Sequence, residues 1–178
     1  MIINFQLDKE DFLHYQLYMV AQMPKIKSSR RRKRWTFPVI FTLFGFIFLT
    51  LHKSYLAFAA WFLALLWFSF YPILNRKKYR KFYANFVEEH YGNRFGKDIS
   101  IDFREDKIIG RDNGFELKIK FKELEEIIEL PALLLLKINA QQHIIIAKNK
   151  LEDPRALVAL LINLAEKWQV PFKVSVSG

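Results

Sequence analysis

The chain contains no cysteine and only four histidines among its 178 residues. It can therefore form no disulfide bond, no thiolate nucleophile and no zinc site built on cysteine. His14, His52, His90 and His143 fall in different predicted elements, so they do not predict a metal site. Motifs of serine hydrolases, phosphate loops, dinucleotide-binding folds and zinc peptidases are missing as well. We therefore expect a protein without catalytic residues and without a cofactor.

Charge is absent from two apolar segments, Trp35 to Leu51 and Tyr55 to Leu74. As helices that rise about 1.5 Å per residue, they would measure about 26 and 30 Å, close to the ~30 Å hydrocarbon core of a bilayer. Only three residues separate them, which predicts a transmembrane helical hairpin over residues 35–74. The alternative is a soluble protein with two buried core helices, but 178 residues give little chain to cover a hairpin so rich in Phe, Trp and Leu.

Basic residues flank both apolar segments, at residues 25–34 and from residue 75 onward. The ten that we expect at the membrane surface are Arg30, Arg31, Arg32, Lys33, Arg34, Arg76, Lys77, Lys78, Arg80 and Lys81. The turn between the segments contains only Lys53, and loops retained in the cytoplasm carry the excess of Lys and Arg. This asymmetry predicts a multi-pass protein of the cytoplasmic membrane with both termini in the cytoplasm.

The net charge of +10 raises the alternative of a nucleic-acid partner. However, 12 of the 28 Lys and Arg residues belong to the two membrane flanks, where anionic lipid headgroups attract them. We therefore expect the partner of these residues to be a bilayer with an anionic inner leaflet, and no nucleic acid.

Residues 1–24 predict a strand over Ile2 to Leu7 and a helix from about Lys9 to Gln22, with Asp8 as its N-cap. This helix has a wide apolar side, which suggests that it docks on another surface. That surface is the protein's own cytoplasmic domain, the lipid interface or a protein partner. The candidate partner-binding residues are Phe12, Leu13, Leu17 and Val20.

After a predicted linker helix within residues 75–97, the pattern changes to antiparallel strands over residues 98–178. Alternating residues predict strands over 99–103 and 115–121, the second following an Asn113-Gly114 turn. Further strands are expected over 125–130, 133–138 and 143–147, and the run Leu133 to Leu136 indicates burial on both faces or a crossing between sheets. Asp153-Pro154 starts an amphipathic helix that ends at Trp168 and should close over the sheet. A last strand, Phe172 to Val176, could pair with Ile2 to Leu7.

This order of parts resembles the bacterial YcxB-like family. Local similarities lie at Asp106 to Gly114, at Phe121-Lys122-Glu123-Leu124 and at Ala147-Lys148-Asn149-Lys150. The resemblance implies a membrane α+β protein in which residues 98–178 form a pleckstrin-homology-like (PH-like) antiparallel barrel, plugged by the C-terminal helix.

A PH-like domain raises the hypothesis of lipid-headgroup binding, because members of that fold use basic residues on their first strands. The candidates here are Lys107, Arg111, Lys118, Lys120 and Lys122. Acidic residues interrupt this set at Asp106, Asp112, Glu116 and Glu123, which lowers the local positive potential. Asp102, Glu105, Glu125, Glu126 and Glu129 predict a charged, solvated surface more than a catalytic carboxylate pair, because nothing fixes their separation.

The leading functional hypothesis is a non-enzymatic inner-membrane protein that presents a cytoplasmic PH-like module for protein binding or self-assembly. Small residues in the apolar segments permit close helix contact without specifying it: Gly45, Ala57, Ala59, Ala60 and Ala64. The alternative from another class is an immunity protein that neutralises a cognate toxin at the membrane. An enzyme and a sensor of membrane state are further alternatives that the sequence leaves open.

Overall fold

The computed structural model describes residues 1–112 and 114–175. The chain divides into two compact units, which we call unit 1 (Met1–Tyr18 with Phe86–Gly178) and unit 2 (Met19–Asn85). The helices and strands are, in chain order, β1 (Ile2–Gln6), α1 (Lys9–Gln22), α2 (Pro24–Thr50), α3 (Ser54–Tyr91), β2 (Asp98–Phe103), β3 (Lys107–Asp112), β4 (Phe115–Lys120), β5 (Glu126–Glu129), β6 (Leu133–Lys137), β7 (His143–Ala147), α4 (Pro154–Trp168) and β8 (Phe172–Val174).

The strands of unit 1 form two four-stranded sheets. One sheet has the order β1-β2-β3-β4, with every neighbouring pair antiparallel. The other has the order β7-β6-β5-β8, and its pair β5-β8 is parallel. The described strands thus form two sheets and not one closed barrel. The predicted fold class, helices combined with mostly antiparallel sheets, is confirmed.

The predicted pairing of the last strand with the N-terminal strand is wrong. The strand at Phe172 pairs with β5, with Ile127 opposite Phe172, and not with the N-terminal strand. The N-terminal strand instead pairs with β2, with Ile3 opposite Ile101. The end of the predicted last strand, Val176, lies outside the described residues.

The first two strands of the predicted domain are not joined directly. An additional strand, β3, lies between β2 and β4 and pairs with both. The predicted turn residue Asn113 lies outside the described residues, while the neighbouring Gly114 has a φ of 93°, a conformation that glycine adopts without steric cost. The turn therefore connects β3 to β4.

The core of unit 1 lies around β6 and α4. Leu133 to Leu136 have 0% exposure, because β6 pairs with β5 on one edge and β7 on the other and is covered on both faces. This confirms burial on both faces as the interpretation of the four leucines. On α4, Leu157 and Leu161 are fully buried, and the helix packs against the 3-10 turn Phe121–Glu123 that joins the two sheets.

Both ends of α4 form as the sequence predicts. The carboxylate of Asp153 accepts a hydrogen bond from the backbone N–H of Ala156 at 3.0 Å, which caps the first turn. At the other end, Gln169 adopts a left-handed conformation with a φ of 56°. The N–H of Val170 then donates to the carbonyl of Ala165 at 2.9 Å, and the helix ends.

Candidate membrane and assembly surfaces

Unit 2 contains 13 Lys and Arg residues and no Asp or Glu. The rest of the chain holds 15 basic and 18 acidic residues, so the net positive charge of the protein comes from unit 2 alone. The ten predicted flanking residues lie on two helices, five of them on α2 and five on α3. A basic region of this kind is attracted to anionic surfaces such as lipid headgroups.

Two of the ten flanking residues pack between the helices of unit 2. The guanidinium of Arg30 lies 4.1 Å from the ring centre of Tyr79, and that of Arg34 lies 4.0 Å from the ring centre of Phe68. In both arginines the Nε atom is buried and has no hydrogen-bond partner among the described residues. These side chains therefore connect α2 to α3 through cation–π contacts, a role that the sequence pattern does not reveal.

The apolar parts of α2 and α3 lie side by side with opposite chain direction. Trp35 of α2 contacts Phe68 of α3, and Phe46 contacts Trp61. The indole N–H of Trp61 also donates to the carbonyl of Thr42 at 3.4 Å. Four of the five small residues are buried in unit 2, namely Gly45, Ala57, Ala60 and Ala64, while Ala59 is exposed. Most of these small residues are therefore used within one chain.

The outer surface of these helices is exposed and apolar. One helix, within Ser54–Arg94, is long and apolar enough to cross a membrane, and only 17% of its most apolar window is buried. A core helix of a soluble protein would be mostly buried. On α2 the apolar part is shorter, because the helix begins with the basic residues from Pro24 to Arg34 and ends at Thr50.

The residues predicted to bind a partner through α1 are mostly buried. Phe12, Leu13 and Val20 are at most 5% exposed, and Leu17 is half-buried. Within unit 1, the ring of Phe12 stacks on Tyr91 at 4.9 Å. Three of the four candidate residues are thus covered in the folded chain.

An acid-rich cap fixes the start of α1. The N–H of Asp11 donates to the Asp8 carboxylate at 3.0 Å, and the N–H of Asp8 donates to the Asp11 carboxylate at 3.0 Å. The ammonium group of Lys150 contacts both carboxylates at 2.7 Å. Asp11 is only 3% exposed, so Lys150 neutralises a buried charge. The sequence identifies the cap at Asp8. It does not identify Lys150, which is 139 residues away from Asp11 in the sequence and comes close to it only in the tertiary fold.

These ion pairs shift the pKa values of Asp8 and Lys150. Burial favours the neutral form of Asp8 and is the largest single influence, but the hydrogen bonds from Lys150 and Asp11 together with the charge of Lys150 outweigh it and hold the pKa of Asp8 below the usual 3.8. Burial likewise opposes the charge of Lys150, while hydrogen bonds to Asp11 and Asp8 raise its pKa above the usual 10.5. Asp8 and Lys150 therefore stay charged together at neutral pH.

Three of the carboxylates considered for acid–base chemistry form ion pairs with neighbouring cations. Glu125 is bound to Lys137 at 2.9 Å, and Glu129 to Lys148 at 2.8 Å. Asp102 is bound to Arg104 at 2.9 Å. Among residues 1–112 and 114–175, no group of three or more His, Asp or Glu side chains could hold a metal ion.

The candidate headgroup-binding residues lie on β3, on β4 and in the turn after β4. Four of them are exposed and Lys107 is half-buried. Glu116 binds Lys118 at 2.9 Å and Arg111 at 3.7 Å, which lowers its pKa below the usual 4.5, chiefly through the hydrogen bond from Lys118. Two of the five cations are thus already paired with a carboxylate.

Comparison with known families matches one part of unit 1. Residues 103–161 match the family described as YcxB-like protein. The predicted resemblance to the YcxB-like family is confirmed over this segment, which runs from the end of β2 into α4. No curated protein and no solved structure matches the chain.

The YcxB-like segment includes the free edge of the first sheet. In the described residues β4 pairs on one side only, with β3. Its side chains Phe115 and Leu117 are 82% and 48% exposed, while Ile119 is buried. These three residues share one face of the strand. The apolar face of the sheet is therefore partly exposed to solvent at β4. The sequence alone shows the alternation but not that this strand is an edge.

Proposed function

We propose that the protein is a non-enzymatic, membrane-anchored assembly module. In this proposal the segments Trp35–Leu51 and Tyr55–Leu74 cross the bacterial inner membrane as a hairpin and both termini lie in the cytoplasm. The single observation that carries it is the composition of unit 2, whose exposed apolar middle section is bounded by basic residues and contains no acidic residue.

The exposed apolar surface supports this environment. Phe58, Phe62 and Leu65 are each more than 60% exposed, although they belong to the most apolar helix of the chain. Side chains of this kind gain about 1.5 to 3 kcal/mol each on transfer from water to an apolar medium. Contiguous patches of this character mark surfaces that contact a membrane or a protein.

The charge distribution supports the orientation. The basic flanks lie at one end of the two apolar segments, while the turn carries Lys53 as its only Lys or Arg. The excess of Lys and Arg remains on the cytoplasmic side during insertion. Unit 1, built from both ends of the chain, would then lie in the cytoplasm. Its two sheets and C-terminal helix α4 are compatible with a PH-like module, and we propose that relation for the YcxB-like segment.

Extraction of isolated membranes tests the anchor. The full chain should remain in the membrane pellet after washing with high salt and with alkaline carbonate, because burial of apolar helices does not depend on charge. Release by high salt alone would contradict the hairpin and leave a peripheral, electrostatic attachment.

For the assembly step, we propose that a second copy pairs with β4 along its free edge. An antiparallel arrangement with Leu117 opposite Leu117 of the second copy places Glu116 opposite Lys118 and Phe115 opposite Ile119. Opposite charges then meet on one face and apolar side chains on the other, as stable cross-strand pairs require. The two-fold symmetry closes this contact between two copies.

The strand contact is short, and attachment to a membrane compensates for that. A ladder of about five residues is marginal by itself, but confinement to one bilayer raises the effective concentration of the two copies. Lys118 and Lys120 would discourage pairing with unrelated strands, because charged edges protect against aggregation. We therefore expect a specific dimer that does not grow further.

A charge-swap experiment tests this contact. Glu116→Lys alone and Lys118→Glu alone should each prevent dimerisation, because like charges would then meet at both places where residue 116 of one copy faces residue 118 of the other. A mixture of the two variants should restore dimers, since each Lys then faces a Glu on the other copy. Förster transfer between labelled full-length chains in lipid nanodiscs or vesicles measures this directly. If the mixture remains monomeric, or if each variant dimerises like the natural chain, the β4 contact is wrong.

A further inference from the structure

A cavity of about 320 Å³ lies between α2 and α3 within unit 2. Its polar lining comes from both helices and includes Ser29, Arg30, Lys33, Asn75, Lys78 and Tyr79. The remaining lining residues are an isoleucine, a phenylalanine and two tyrosines. All three charged side chains at this cavity are therefore cations.

These cations have no carboxylate partner within unit 2, because unit 2 contains no Asp or Glu. Repulsion among three positive groups around one cavity raises the free energy of the empty site, and an anion would relieve it. Hydroxyl and amide groups from Ser29, Asn75 and Tyr79 add hydrogen-bond donors to the same cavity.

Arg30 gives a further reason to expect an anion in this cavity. Its guanidinium is held over the Tyr79 ring at 4.1 Å, which fixes its position before any ligand arrives. Its Nε atom is buried, so the terminal amino groups of the guanidinium are the part of this side chain that a ligand in the cavity can reach. Arginine also matches the oxygens of phosphate groups in geometry as well as in charge.

We propose that this cavity binds the phosphate group of an anionic phospholipid. The inference rests on the proposed function, because the lipid source depends on membrane attachment. The cavity includes Tyr71, within the apolar segment Tyr55–Leu74, and Asn75 directly after it. Acyl chains can therefore follow the apolar helices while the phosphate lies among the cations. A free phosphate ion would use the same donors, and the experiment must separate the two sources.

Binding is tested with the full chain in an uncharged detergent. The probes are short-chain phosphatidylglycerol, short-chain phosphatidylcholine and inorganic phosphate, and the readout is the dissociation constant. The cavity variant combines Arg30→Gln, Lys33→Gln and Lys78→Gln. The control variant combines Lys25→Gln, Arg76→Gln and Lys77→Gln, which removes the same charge from residues that do not line the cavity.

Phosphatidylglycerol should bind the natural chain and the control with similar affinity, and the cavity variant at least about tenfold more weakly. Equal weakening in both variants would assign binding to overall charge and overturn the site. Phosphatidylcholine that binds as tightly as phosphatidylglycerol would also overturn it. If inorganic phosphate binds as tightly as phosphatidylglycerol, the cavity is a site for free phosphate and the proposed phospholipid ligand is wrong.

A milder pair of variants keeps the test decisive if the triple variant fails to fold. Lys78→Gln removes one exposed cation of the cavity, and Lys77→Gln removes its exposed neighbour outside it. Only Lys78→Gln should weaken lipid binding. If membrane extraction retains the protein while both variants bind equally, the site is wrong and the proposed anchor still stands. If the protein washes off the membrane, the anchor itself is wrong.

Discussion

Truncation of Leu161 to alanine should destabilise unit 1 strongly. Leu161 and its neighbour Leu157 are both 0% exposed, and α4 packs on the turn that carries the fully buried Phe121. Leu→Ala changes at such sites cost about 2 to 5 kcal/mol, the larger values applying where the surroundings cannot collapse into the cavity. Because α4 is capped at both ends and Leu161 is fully buried, we expect the upper half of this range.

Thiol labelling can measure this cost in the full chain, because the protein has no cysteine of its own. A single Ala165→Cys substitution places a thiol at a position that is 3% exposed, so labelling requires opening of the structure. Leu161→Ala should then accelerate labelling between about 400-fold and several thousand-fold. A fragment of residues 98–178 is unsuitable, since it lacks β1, the neighbour of β2.

The adjacent residue provides the control. Ile162 is 37% exposed, and Ile162→Ala should change the opening free energy by no more than about 0.5 kcal/mol. If the two variants are labelled at similar rates, the buried face of α4 does not stabilise unit 1, and the reasoning from burial fails.

Three further predictions concern other contacts. Burial, assisted by Lys137, lowers the pKa of His143 below its usual 6.5, so protonation favours the unfolded state and the stability of unit 1 should begin to fall as pH drops through about 6.5; His143→Gln should remove this component from a series of urea titrations. Lys150→Met should cost about 1 to 3 kcal/mol because it leaves the buried Asp11 carboxylate without its cation, and chemical denaturation with the exposed Lys122→Met as control measures the difference. Gly45→Val should lower the thermal stability of unit 2, because any Cβ at this position would overlap the Trp61 indole, and an unchanged melting temperature would contradict the close helix contact.

The sequence predicts elements with regular local patterns well. The alternation of Ile3 and Phe5 with Asn4 and Gln6 identifies β1, and Asp153-Pro154 identifies the start of α4. In contrast, β3 does not alternate. Ile108 and Ile109 are consecutive and both buried, since each lies on a different face of the sheet, and Gly110 follows them. A strand that is covered on both faces has no period of two for the sequence to reveal.

Contacts between distant parts of the chain are the part that the sequence cannot supply. The pairing of β8 with β5 and the contact of Lys150 with Asp11 depend on how the chain returns, and neither has a local signal. The same holds for the cavity between α2 and α3. The basic flanks are obvious in the sequence, but the alignment of Arg30 with Tyr79 follows from the packing of two helices. The buried state of Phe12 and Leu13 likewise depends on the residues that cover α1.

The most direct test of the proposed membrane anchor is the side of the membrane on which each end of the apolar segments lies. Single cysteines at Lys53, in the turn, and at Ser28, in the basic flank, can be exposed to a membrane-impermeant maleimide in spheroplasts of a bacterial host. We expect Lys53→Cys to be labelled in intact spheroplasts and Ser28→Cys to be labelled only after lysis. Labelling of both positions from the same side would contradict the transmembrane hairpin.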